Sequence, residues 1–155
     1  MSHSLTQVDP MVVRSRISVP YTWWAGDTAG RFLSALRDEQ TILGTRCERC
    51  QRVFVPPRKV CPTCFTPNDD WTAVSDEGTV TAFTVARRQL AAIARPVPVI
   101  FALIRLDGAD TALLHTIGRT DPDRVAIGMR VRACFSGKAG ATIAAISHFE
   151  PVDHQ

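Results

Sequence analysis

No apolar stretch in this 155-residue chain is long enough to cross a bilayer. The longest runs from Pro96 to Ile104, between Arg95 and Arg105, against about 20 residues for a membrane helix. The amino terminus, Met1-Ser-His-Ser, leads into polar residues with no apolar signal core, so no secretory signal is read and a cytoplasmic location is expected. Nine glycines and ten prolines are too few for a fibrous or low-complexity chain. A hydrophobic content of 45% is too high for disorder, and the length suits one ordinary domain or two very small ones. The nucleophile elbow G-x-S-x-G, the dinucleotide fingerprint G-x-G-x-x-G and the phosphate loop G-x-x-x-x-G-K-[ST] are all missing. Asp69-Asp70 and Asp76-Glu77 sit beside turns and read as solvated loop charges rather than an acid/base pair. The sequence nominates no catalytic residue.

Cysteine is where the sequence is informative. Four of the five cysteines fall at Cys47-x2-Cys50-x10-Cys61-x2-Cys64. Two Cys-x-x-Cys knuckles at ribbon spacing can present four sulfurs tetrahedrally to one ion. Zinc suits four thiolates, and a four-cysteine site is closed, so the ion is expected to be structural, one per chain. Iron in a rubredoxin-like site is the rival, and sequence does not separate the two. Val53-Phe54-Val55-Pro56-Pro57 between the knuckles reads as the ribbon hairpin and its small apolar face. The formal charge of +3 falls to about +1 once four thiolates and a dication are counted. That is a weak footprint for a polyanion.

The chain divides into four parts. Residues 1–27 read as an extended arm carrying Tyr21, Trp23 and Trp24, rings that must be buried against this domain or another chain. Residues 28–45 hold a helix capped by Asp27 or Thr28, with Phe32, Leu33 and Leu36 on one face, and an extended lead-in from Thr41. The zinc ribbon is placed at 46–70. Residues 71–155 read as strands: Gly78 to Arg87, Val99 to Leu106, Thr111 to Ile117, Gly128 to Ser136 and Ala141 to Phe149, with a helical turn opened by Thr120-Asp121-Pro122-Asp123. Five strands with a helical turn between the third and fourth match a five-stranded OB-fold barrel. Another small barrel or sandwich is the alternative. The expected fold is mainly β with a small α part.

Two further groups have a bland and a sharp reading. Arg46, Arg49, Arg52, Arg58 and Lys59 crowd the ribbon, with Glu48 the one acid among them. They either compensate the anionic tetrathiolate or bind a phosphorylated ligand or acidic partner. Cys134 reads as a small strand side chain rather than a nucleophile. His115 and His148 fall in strands with no partner pattern nearby.

Arg31 to Ala86 resembles a family that joins a helix, a rubredoxin-like zinc ribbon and a C-terminal OB-fold, associated with acyl-CoA enzymes. The shared residues are Phe32-x3-Leu36, Arg46-Cys-x2-Cys, Pro56-Pro57-Arg58, Cys61-Pro62-x-Cys64, Trp71 and Gly78-Thr-Val-x-x-Phe-Thr-Val. Phe101-Ala-Leu-Ile-Arg-Leu-Asp-Gly and Ile127-Gly-Met-Arg-Val look like the family's barrel, so the resemblance covers residues 28–150. It implies a non-catalytic partner of a thiolase-like enzyme, whose own chain holds the nucleophilic cysteine and the histidines. The arm Ile17-Ser-Val-Pro-Tyr-Thr-Trp-Trp-Ala-Gly is similar to the longer N-terminus of small subunits of anaerobic aromatic-degradation thiolases, the benzoylsuccinyl-CoA thiolase type. On this reading Tyr21, Trp23, Trp24 and Phe32 contact the partner, and Arg49, Arg52 and Arg58 contact the partner or coenzyme A phosphates. Two other function classes stand beside it: a single-stranded nucleic-acid-binding module, with Phe83 and Phe101 as stacking candidates that fit the core better, and a free-standing acyl-CoA enzyme, which lacks a nucleophile–base pair.

Overall fold

The computed structural model describes residues 11–12, 19–20, 22–89, 91, 93, 95–137 and 140–152. Tyr21 and most of the arm lie outside them. Helix α1 spans Gly26–Asp38. It starts two residues before the expected position 28, where Gly26 turns the chain at φ 79°, and Ala25 precedes it without a side-chain cap. Asp27 sits in the first turn instead, where a carboxylate favours the helix dipole. Phe32, Ala35 and Leu36 form the buried face. Gln40 takes the left-handed conformation at φ 51°, and the Thr41 amide then closes on the Ala35 carbonyl at 3.2 Å.

Three short strands follow: β1 Ile42–Arg46, β2 Val53–Phe54 and β3 Asp70–Val74. They make an antiparallel sheet in the order β2-β1-β3. The ribbon sheet therefore runs past both expected bounds, 46 and 70. Trp71 pairs with Thr45 of β1, and the Arg31 guanidinium lies 4.5 Å from the Trp71 ring centroid.

The barrel begins at β4 Glu77–Ala86 and continues through β5 Val99–Leu106, β6 Ala112–Ile117, a 3-10 turn at Pro122–Arg124, β7 Arg130–Phe135 and β8 Ile146–Pro151. It closes in the order β4-β5-β6-β8-β7, with five strands and the helical turn between the third and fourth, as an OB-fold requires. The last strand starts at Ile146 rather than Ala141, because Ile143–Ala145 forms a 3-10 turn that buries Ala145. Alternation sets the inner face: Ile104 and Leu106 on β5, Val131 and Ala133 on β7, and Phe149 on β8 are all buried. Gly78 lies where β4 pairs with β5 and β7 at once. A Cβ there would meet the Arg105 carbonyl oxygen at 2.5 Å and the Leu106 Cα at 2.8 Å, so only glycine allows the approach. Phe83 and Phe101 lie on the outer wall rather than in the core, where they line a shallow apolar cleft with Leu103 and Leu114.

Helix, ribbon and barrel share one core. Phe32, Leu36, Ile42 and Val55 belong to the same buried cluster as Val80, Leu106, Val131 and Phe149. The placement of Phe32 corrects the expectation of a partner contact: at 4% exposure its ring fastens α1 to the barrel. Backbone stitching reinforces the junction. The Val53 amide donates to the Asp110 carboxylate at 2.8 Å, and the Asp110 amide donates to the Val53 carbonyl at 2.9 Å. The Thr111 hydroxyl accepts from the Val55 amide at 2.8 Å and donates to the Val55 carbonyl at 2.9 Å. β6 begins at Ala112, one residue after this contact. Thr111→Val keeps the shape but strands two backbone groups of buried Val55, so it should cost about 1–3 kcal/mol in denaturant unfolding. Unchanged stability would show that the junction is not held this way.

Candidate metal centre

Each Cys-x-x-Cys segment is built by the same backbone turn. The Cys47 amide donates to the Arg52 carbonyl and the Gln51 amide to the Cys47 carbonyl, at 2.9 and 2.8 Å. Fourteen residues on, the Cys61 amide donates to the Thr66 carbonyl and the Phe65 amide to the Cys61 carbonyl, both at 2.9 Å. The residue after each second cysteine takes the left-handed conformation, Gln51 at φ 60° and Phe65 at φ 56°. No glycine marks either position, so this strain was not visible in the sequence. The hydroxyl of fully buried Thr45 accepts from the Arg58 amide at 2.9 Å and donates to its carbonyl at 3.0 Å, which holds the chain ahead of the second knuckle.

These turns bring the four sulfurs within 4.8 Å of one another. Cys47 and Cys61 are fully buried, and Cys50 and Cys64 half-buried. The Cys50 and Cys61 sulfurs stand 3.7 Å apart, close to the edge of about 3.8 Å that a regular tetrahedron has when each zinc–sulfur bond is about 2.3 Å. The Cys64 amide points at the Cys61 sulfur at 3.4 Å, and the Thr66 hydroxyl lies 3.4 Å from the Cys47 sulfur. The Thr66 hydrogen bond, helped by the Cys50 amide, pulls the Cys47 thiol down to about 6. Burial, with hydrogen bonds from the neighbouring thiols, pushes Cys64 up to about 12. Cys47 is thus readily a thiolate, whereas the Cys64 thiolate needs a dication to compensate it. One structural zinc, held by Cys47, Cys50, Cys61 and Cys64, satisfies all of this. A four-thiolate site leaves no open position for water or substrate.

Around the ribbon, Arg49 and Arg52 are exposed. Arg49 lines a shallow cleft of about 460 Å³ with Glu48, Thr66, Pro67 and Asp69. Arg58 is exposed and its guanidinium lies 5.7 Å from the Phe54 ring. Trp23 and Trp24 are 79% and 75% exposed. Trp24 borders a cleft of about 400 Å³ that Thr28, Pro57 and Lys59 also line.

A second cluster was hidden in the sequence. Cys134 and His148 are register partners on β7 and β8, and with Glu150 their ligand-capable atoms lie within 4.8 Å of one another. Burial, then the hydrogen bond with Glu150, pushes the Cys134 thiol up, the reverse of what a nucleophilic cysteine needs. Burial, then the charge of Arg119, pushes His148 down. His115 stands edge-on to Phe149 at 5.6 Å, a core contact.

Cys61→Ser should abolish tight zinc binding, from about one ion per chain to none by elemental analysis, and loosen the ribbon. Retention of a full equivalent of zinc would show that the ion sits elsewhere.

Comparison with known proteins matches the ribbon and the barrel as far as β7. Residues 34–70 match the rubredoxin-like zinc ribbon domain of ChsH2, and residues 71–136 match the C-terminal OB-fold domain of ChsH2. A "DUF35 domain-containing scaffold protein" of Methanocaldococcus jannaschii is 27% identical over 101 residues, 64% of this chain and 71% of the relative. Its counterpart of the same description in Pyrococcus furiosus is 26% identical over 101 residues, 65% of this chain and 73% of the relative. The solved Ltp2-ChsH2(DUF35) aldolase has a chain of similar fold, with a TM-score of 0.61 at 24% identity over 78% of this chain and 91% of that one. A DUF35-family protein of unknown function from Sulfolobus solfataricus gives a TM-score of 0.60 at 23% identity, over 81% of this chain and 84% of that one. With a tetrathiolate cage, a closed five-stranded barrel and these matches from 34 to 136, the chain belongs to the family that joins a ChsH2-type rubredoxin-like zinc ribbon to a C-terminal OB-fold.

Proposed function

We propose that this chain is the non-catalytic, zinc-containing subunit of a thiolase-like acyl-CoA complex, where it shapes or closes the acyl or coenzyme A site of a partner that makes or breaks a carbon–carbon bond. The observation that carries the reading is the pairing of a metal site closed to substrate with a family whose relatives are described as scaffold proteins and as part of an aldolase. A thiolase cleaves a β-ketoacyl thioester by attack of a cysteine thiolate, with an oxyanion hole for the developing charge. This chain's cysteines do not suit that attack: four are committed to zinc, and the Cys134 thiol is held up rather than down. The nucleophile then belongs to the partner.

Two exposed features support an interface role. Trp23 and Trp24 are large rings left at the surface just before α1, and such rings are enriched in interface cores. On the barrel wall, Phe83, Leu103 and Leu114 are also exposed. Their cleft is lined by Ala82, Phe83, Thr84, Phe101, Leu103 and Leu114, with no cation among them, which suits protein better than nucleic acid. Arg49, Arg52 and Arg58 remain proposed contacts to the partner or to coenzyme A phosphates. The likeness of the arm points further, to a cytoplasmic aromatic-degradation thiolase with a bulky or dicarboxylic acyl group.

Tagged full-length chain, recovered from its native organism, should bring down a thiolase-like chain in fixed ratio, and only the complex should cleave a β-ketoacyl-CoA. Removing residues 1–27 should abolish co-purification. Elution of the zinc-loaded chain alone, or turnover by the chain unaided, would overturn the proposal. A salt-dependent shift of a labelled single strand would then favour the nucleic-acid reading.

A further inference from the structure

We propose that Cys134, His148 and Glu150 form a second binding site, for an exchangeable divalent ion of the zinc class, on the outer wall of the barrel. Val131, Ala133 and Phe149 turn into the core, so alternation puts Cys134 of β7 and His148 and Glu150 of β8 together on the opposite face. Cys134 and His148 are directly paired, and one ligand atom from each of the three residues lies within 4.8 Å of the others.

The imidazole is prepared for such a role. Its Nδ1 is 3.0 Å from the Ser147 hydroxyl, while Nε2 is buried without a hydrogen-bond partner. A ring with one nitrogen tied and the other vacant is what a metal-ligating histidine presents. Gly118 makes room for it, since a Cβ at that position would stand 2.6 Å from the ring. Glu150 Oε2 accepts from Arg119 at 3.0 Å, which orients the carboxylate and leaves Oε1 for an ion. A sulfur, an imidazole nitrogen and a carboxylate oxygen together fit zinc or a similar transition metal and do not fit magnesium or calcium.

Three protein ligands leave a fourth position open, unlike the ribbon site. Glu150 also lines a cleft of about 340 Å³ with Arg119, Thr120, Arg124 and Pro151, so water or a small anion can complete the shell. On binding, the Cys134 thiol proton passes to solvent as the sulfur–metal bond forms. Thiolate and carboxylate together balance the dication, and Arg119 beside them weakens the site relative to the ribbon. The inference stands independently of the proposed scaffold role.

The test uses full-length chain already holding its ribbon zinc, titrated with cobalt(II). The expected result is a second equivalent bound with a thiolate-to-cobalt charge-transfer band, and calorimetry with zinc(II) showing the same extra site. Cys134→Ser should lose the band, and both Cys134→Ser and His148→Gln should weaken the second site roughly tenfold or more while keeping the ribbon zinc. Absence of a second equivalent in the unmodified chain, or binding without a charge-transfer band, overturns the proposal whether or not the variants fold. So does unchanged affinity in folded variants.

Discussion

Four thiols that must share one ion set the terms for this fold. The ribbon's own apolar cluster amounts to Cys47, Phe54 and Cys61, with Cys50 and Cys64 packed against it. Its middle strand pairs with a β2 of two residues. Such a body cannot bury enough surface to stand alone. What fixes it is the demand of a tetrahedral dication for four thiolates at equal distance, which the free thiols meet unequally: hydrogen bonds pull Cys47 down to about 6 while burial pushes Cys64 up to about 12. The ion's binding energy is therefore folding energy for the ribbon.

That constraint reaches the barrel through covalent and hydrogen-bonded steps. The knuckles set the ends of β1 and β2. The next residues, Val53 to Val55, are stitched to Asp110 and Thr111 at the turn between β5 and β6. Val55, Phe32 and Leu36 then enter the core that Val80 and Phe149 occupy. The proposed subunit role needs this rigidity. Trp23, Trp24 and the ribbon arginines can be presented in fixed relation to the barrel wall only if ribbon and barrel behave as one body.

Local signals were legible in the sequence and long-range ones were not. Cysteine spacing, the strand-length run from Val99 to Leu106 and the Thr120-Asp121-Pro122-Asp123 opening of the helical turn each act within a few residues, and the ribbon and the five-strand order followed from them. The face of α1 could be read, but not what covers it, so Phe32 was expected at a partner surface and lies in the core. Trp71 looked like the start of the barrel because nothing local reveals that β3 pairs with β1. Cys134 and His148 are neighbours only through a register that a bulge at Cys134/Phe135 and the turn Ile143–Ala145 both shift. Gly78 stood in the motif, but its reason is a three-strand approach.

Hydrogen exchange with and without bound zinc tests the central claim most directly, because it reads the ribbon, the junction and the barrel in one measurement. Removal of the ion should erase protection across Cys47 to Cys64 and at the Val53 and Val55 amides, while β7 and β8 stay protected. Unchanged protection across the two knuckles after zinc removal would contradict the account, since the ribbon would then hold its shape without the ion.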